Sequence, residues 1–144
     1  MMRKDELSEV KRLLREGDFT CVIVKGDNVF TSKERGVKPL ISLLDADAEL
    51  SGALAADKVV GKAAAMLYLL LNIKKLYASV ISELALDTLT EAGVEVSYET
   101  LVPMIRNRTN TGFCPMEQAT KDIDDPNEAL NAIRKTIVEL KNKN

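Results

Sequence analysis

The segment Arg106-Asn107-Arg108-Thr109-Asn110-Thr111-Gly112-Phe113-Cys114-Pro115-Met116-Glu117 gathers the residues best suited to chemistry. Pro115 suits the first position of a helix, which makes Cys114 the capping residue ahead of it. The partial positive charge of a helix start, with Arg106 and Arg108 close by, favours a thiolate and hence a nucleophilic or redox thiol. Glu117, in the first turn, opposes this by like-charge repulsion and is itself a candidate proton carrier. The competing reading of Cys114 is a small residue packed beside a turn, as inert cysteines are. The guanidinium groups, amides and hydroxyls ahead of it suit a phosphate or carboxylate. Arg106, Arg108 and Asn110 are therefore the candidate anion ligands, although a solvated surface loop has the same composition.

A second constellation is Asp57-Lys58 with Lys62 four residues on, which the sequence places at the start of a helix. A lysine near a buried helix surface can serve as base, Schiff-base former or anion ligand. It can equally pair with Asp57 or extend its amine to water. Cys21, between Thr20 and Val22, reads as packing, and Tyr68 as a core residue whose hydroxyl is bonded. Ser32-Lys33-Glu34-Arg35-Gly36 is a weaker candidate for the opposite wall of a site.

These groups belong to a chain of 144 residues that contains no histidine, no tryptophan and two cysteines. Without histidine, Ser-His-Asp and Cys-His mechanisms are excluded, and so is the commonest metal ligand. Two cysteines are few for a zinc site and make no disulfide framework. No metal and no cofactor are expected. The length fits a single domain over residues 1–144 with a substantial core. Twenty Lys+Arg against 22 Asp+Glu give a net charge of -2, which argues against nucleic acid as a partner. The N-terminus turns charged at once and lacks a signal-peptide core, so a cytoplasmic protein with no membrane partner is expected.

The elements that must position these residues follow from periodicity and punctuation. Residues 4–16 carry Leu7, Val10, Leu13 and Leu14 at helical spacing, with Gly17 as the stop. Residues 19–24 and 29–31 form a β-hairpin around Gly26-Asp27-Asn28, and a short helix follows from Gly36 to about Leu44. From Leu54 to Leu71 almost no polar face remains, which predicts a central helix covered on several sides. Lys58 and Lys62 leave that run too short to cross a bilayer. Residues 75–81 (strand), 83–92 (helix) and 94–98 (strand) make a βαβ unit with parallel strands. One or two helical turns follow Pro115. Asp125-Pro126 opens a last helix with Leu130, Ile133, Ile137 and Leu140 facing the core. The expected fold class is α/β: a three-layer α/β/α arrangement around a mixed sheet, in the order α-β-β-α-α-β-α-β-α-α.

Three strings carry a family resemblance: Gly36-Val37-Lys38-Pro39-Leu40, the run Ala56-Asp57-Lys58-Val59-Val60-Gly61-Lys62-Ala63-Ala64-Ala65, and Asn107 through Glu117. With these the chain resembles a prokaryotic family catalogued as domain of unknown function 1893, and its element order is similar to the cytidine deaminase-like fold. The resemblance implies no activity. Zinc deaminases carry His/Cys-x-Glu at the start of the buried helix and Pro-Cys-x-x-Cys at the start of the next. Here the corresponding positions read Asp57-Lys58-Val59 and Ser82-Glu83-Leu84-Ala85, so zinc-dependent deamination is not expected. The analogy also implies a pocket where the buried helix begins, and a homodimer.

Two functions follow. The first is a metal-free pocket for a small anionic ligand, a nucleotide or other phosphorylated metabolite, held by Arg106, Arg108, Asn110 and Lys58. Cys114 would be its nucleophile, with Lys62 or Asp57 transferring protons. The second is a non-catalytic module that senses a ligand or a protein partner in the same pocket. RNA binding, which the alternating architecture permits, is disfavoured by the acidic charge.

Overall fold

A computed structural model describes residues 3–106, 112 and 114–142. Arg108 and Asn110, two of the candidate anion ligands, lie outside the described residues. The elements run α1 (Arg3–Glu16), β1 (Cys21–Lys25), β2 (Asn28–Ser32), α2 (Lys38–Asp45), β3 (Leu54–Val60), α3 (Lys62–Leu70), β4 (Lys75–Ser82), α4 (Glu83–Glu91), β5 (Glu95–Val102), α5 (Pro115–Thr120) and α6 (Pro126–Asn142).

The strands form one mixed sheet in the order β2-β1-β3-β4-β5. The hairpin β1/β2 is antiparallel, β1 also pairs antiparallel with β3, and β3, β4 and β5 are parallel. Helices lie on both faces. On one, Val10 and Leu14 of α1 pack against Val22, Ala56 and Tyr77 of the three central strands. On the other, α3 lies at the centre of the larger core, with Leu40 of α2, Leu89 of α4 and Ile133 of α6 around it. The α/β class and the βαβ unit are as the sequence indicates.

Two expectations are corrected. Residues 54–60 are not the first half of a long helix but the central strand, and the helix begins only at Lys62. Ala55 and Ala56 are both fully buried, one on each face of the sheet. A strand covered on both faces has no reason to alternate in polarity, and its alanine-rich run imitates a buried helix. Gly61, in extended backbone, is the break between the two. Asp57 and Lys58 therefore sit within β3 and not at a helix start. Beyond Gly61 the helical reading holds, since every residue from Lys62 to Tyr68 is buried. Leu140 also departs from expectation: it is exposed, while Ile133 fills the core and Leu130 and Ile137 pack against it.

The register brings distant residues together. Cys21 pairs across the antiparallel ladder with Asp57, and Asp57 across the parallel ladder with Ala78. Because β1 runs opposite to β3, its first residues share an edge with the carboxyl ends of the parallel strands. At that edge an open α/β sheet holds its ligands.

Candidate functional site

A cavity of about 780 Å³ opens at this edge. Its wall comes from the start of β1, the turn into α2, the second half of β3, the first turn of α3, residues 105–106, the start of α5, and Leu140 of α6. That volume suits a small molecule or cofactor-sized ligand. Asp57, Lys58, Arg106 and Cys114 all contribute to the wall.

Asp57 is 8% exposed. Its Oδ2 accepts a hydrogen bond from the Tyr68 hydroxyl at 2.6 Å, and its Oδ1 accepts from the Val59 amide at 3.2 Å. The sulfur of Cys21 lies 3.3 Å from the same hydroxyl. Tyr68 has one hydroxyl proton and directs it at Asp57, so the thiol donates to the tyrosine oxygen and the chain ends on the carboxyl. Burial raises the Asp57 pKa to about 7, although the bonds from Tyr68 and the backbone oppose the shift. Burial, with the Asp57 charge beside it, likewise lifts Cys21 well above the ordinary thiol range and keeps it protonated. Tyr68 is raised for the same reasons, burial first. The sequence reading places Tyr68 correctly but gives Cys21 no part in this network. The signal it lacked was β3, because only the strand pairing sets Cys21 beside Asp57.

Glu117 comes from α5 and is 2% exposed. Its Oε2 accepts the backbone N–H of Lys62 at 3.0 Å, and so caps the first turn of α3, whose own N-cap residue is Gly61. Among the described residues, Oε1 has no hydrogen-bond partner. The close approach depends on Gly61: a Cβ there would lie 2.5 Å from Oε1 and 2.8 Å from the carboxyl carbon. The φ of Gly61 is ordinary, so space and not backbone conformation requires glycine. The start of α3 thus already holds a carboxylate, supplied by the protein.

Cys114 is the N-cap residue of α5 with Pro115 following, as the sequence suggests. It is half-buried, and its amide donates to the Ile105 carbonyl at 3.0 Å. Lys62 does not line the cavity. It is 5% exposed and its amine donates to the Lys121 carbonyl at 2.8 Å, which ties α3 to the end of α5. Lys58 stands exposed at the cavity edge with Asp18 at 3.3 Å, and Arg35 and Arg106 are exposed wall residues too. Buried carboxyls therefore line the inside and cations the mouth. Among the described residues no three His, Cys, Asp or Glu side chains cluster as a metal site would require, and no helix is long and apolar enough to cross a membrane.

A family model described as domain of unknown function (DUF1893), TM1506, matches residues 9–137. A solved structure, the DUF1893 family protein TM1506 from Thermotoga maritima, is similar at 31% identity and a TM-score of 0.85, over 92% of this chain and 90% of that one. No curated protein matches. The match along nearly the whole chain, at both sequence and structure level, means that this chain belongs to the DUF1893 family.

Proposed function

We propose that the protein binds a small anionic metabolite, of the nucleotide or phosphorylated-metabolite class, in the cavity at the carboxyl edge of the sheet. The carrying observation is convergence. Asp57, Cys114, Arg106 and Lys58, from segments far apart in sequence, line one cavity large enough for such a ligand. Arg35, Lys58 and Arg106 at the mouth supply positive charge for the anionic end. The polar groups inside give the apolar remainder of the ligand a defined orientation. A thermal-shift series of nucleoside monophosphates and sugar phosphates tests this directly. A stabilising member is expected, and no stabilisation across the series at millimolar concentration contradicts the proposal.

A catalytic version is favoured by one further observation. A carboxyl that titrates near 7 stands in the same cavity as a half-buried thiol. Asp57 thereby has the acidity that a general acid or base needs near neutral pH, in a chain without histidine. Cys114 would be the nucleophile and Asp57 its proton-transfer partner. Lys62, engaged with Lys121, has no part in this version. Iodoacetamide labelling of Cys114 across pH is the test: reactivity that turns on well below the ordinary thiol value of about 8.5 supports the nucleophile, and an ordinary profile removes it. A ligand that stabilises wild type and Cys114→Ala equally, without turnover, supports the sensing function instead.

A further inference from the structure

The cavity has one feature that anion binding at its mouth leaves unexplained. Glu117 is 2% exposed, and its Oε1 has no hydrogen-bond partner among the described residues. A buried carboxylate oxygen without a donor is costly, and the fold could have avoided the cost with glutamine or a shorter residue. Instead Gly61 has no side chain at the position where one would strike this oxygen. Glu117, Gly61 and the neighbouring Ile105 are all cavity wall. The other oxygen, Oε2, is fixed by the Lys62 amide, so the carboxylate is anchored on one side only. The last torsion of a glutamate is soft, so the carboxylate can turn to present Oε1 to a donor in the cavity.

From this geometry we infer that Glu117 receives a nitrogen donor of the ligand, an amine or amidine N–H. This inference rests on the cavity being a small-molecule site and adds the chemistry of the inner end. An anion is excluded from that end because the protein's own carboxylate holds the start of α3. A neutral apolar group there would leave Oε1 as costly as before, whereas a cationic or strongly polarised N–H neutralises it. With Arg35, Lys58 and Arg106 at the mouth, the ligand carries a nitrogen donor at one end and an anion at the other, and it enters donor first.

A matched pair of probes tests the donor without knowledge of the natural ligand. 4-(Aminomethyl)benzoate has an ammonium and a carboxylate at opposite ends of a flat apolar body, and 4-methylbenzoate lacks only the ammonium. Both are titrated into the ¹⁵N-labelled protein and followed at the amides of Gly61, Ala63 and Ala64. The aminomethyl compound should bind wild type more tightly by at least about tenfold, the lower end for a hydrogen bond to a charged group. In Glu117→Gln that preference should fall to about twofold or less, since the amide pairs with an ammonium far less strongly. Equal affinities for the two probes in wild type overturn the donor assignment and leave the cavity reading in place. A preference that survives in Glu117→Gln overturns it too. Failure of both compounds to shift the cavity amides overturns the donor assignment and the cavity reading together. The wild-type comparison decides the matter even if the variant does not fold.

Discussion

Asp57 carries a prediction that needs no ligand. Its carboxyl holds its proton to about pH 7 in the folded protein, against 3.8 for the ordinary group, chiefly because it is buried. The folded state thus binds more protons than the unfolded chain between those values. The contribution of this group to stability is complete below pH 3.8 and is lost as the pH rises through 7. The loss is at most about 4 kcal/mol. Asp57→Asn copies the protonated form: its oxygen can accept from the Val59 amide and its nitrogen can donate to Tyr68. Urea denaturation at pH 5 and pH 8 should show the variant gaining on wild type at the higher pH. A constant difference between the two would contradict the buried-acid description. Gly61→Ala tests the other carboxyl. A methyl group 2.5 Å from Oε1 must displace Glu117 and uncap the Lys62 amide, at a cost of about 1–3 kcal/mol. A neutral effect in urea denaturation would show that the carboxylate relaxes freely.

Among the elements, those with clear punctuation were legible in the sequence. Gly17 ends α1 and Gly93 follows α4, since glycine tolerates the backbone that leaves a helix, while Pro115 and Pro126, with φ fixed and no N–H to satisfy, open the last two helices. Ser82 illustrates the local logic. It ends β4, caps α4 by accepting the Ala85 amide at 3.2 Å, and is itself buried. Ser82→Ala should therefore cost about 1 kcal/mol, measurable as a drop in the denaturation midpoint without a change in slope. No measurable cost would indicate that β4 and not the cap defines where α4 starts. The element that was not legible is β3. Its alanines favour helix intrinsically, and its burial on both faces removes the alternation by which a strand is recognised. That single misreading also displaced Asp57 from its true neighbours, Cys21 and Tyr68. That Asp57, Lys58, Arg106 and Cys114 line one cavity depends on the strand pairing and the return of the chain at residues 105–106, which the sequence left open. The recession of Lys62 was not legible either, because its partner is a backbone carbonyl contributed from another helix.

At the scale of the whole molecule, the sheet separates two tasks. The α1 face is closed by one helix over a small apolar cluster, and the opposite face carries the remaining helices and the cavity. Antiparallel β1 and parallel β3 meet at the edge where α3 begins, and α5 brings both Cys114 and Glu117 to that place. The exposed pair of Arg134 and Asp45, at 2.7 Å, links α6 to α2 across the same side, a contact of small energetic weight. The role proposed for this cavity is the binding of a small anionic molecule. Its most direct measurement is an amide chemical-shift map of the ¹⁵N-labelled protein with the best stabiliser from the nucleotide and sugar-phosphate series. Saturable shifts are expected at Gly36, Val37, Lys58, Ala63, Ala64 and Met116, with the α1 face unmoved. Shifts centred on the α1 face or on the opposite end of the sheet, with these residues silent, would contradict that role.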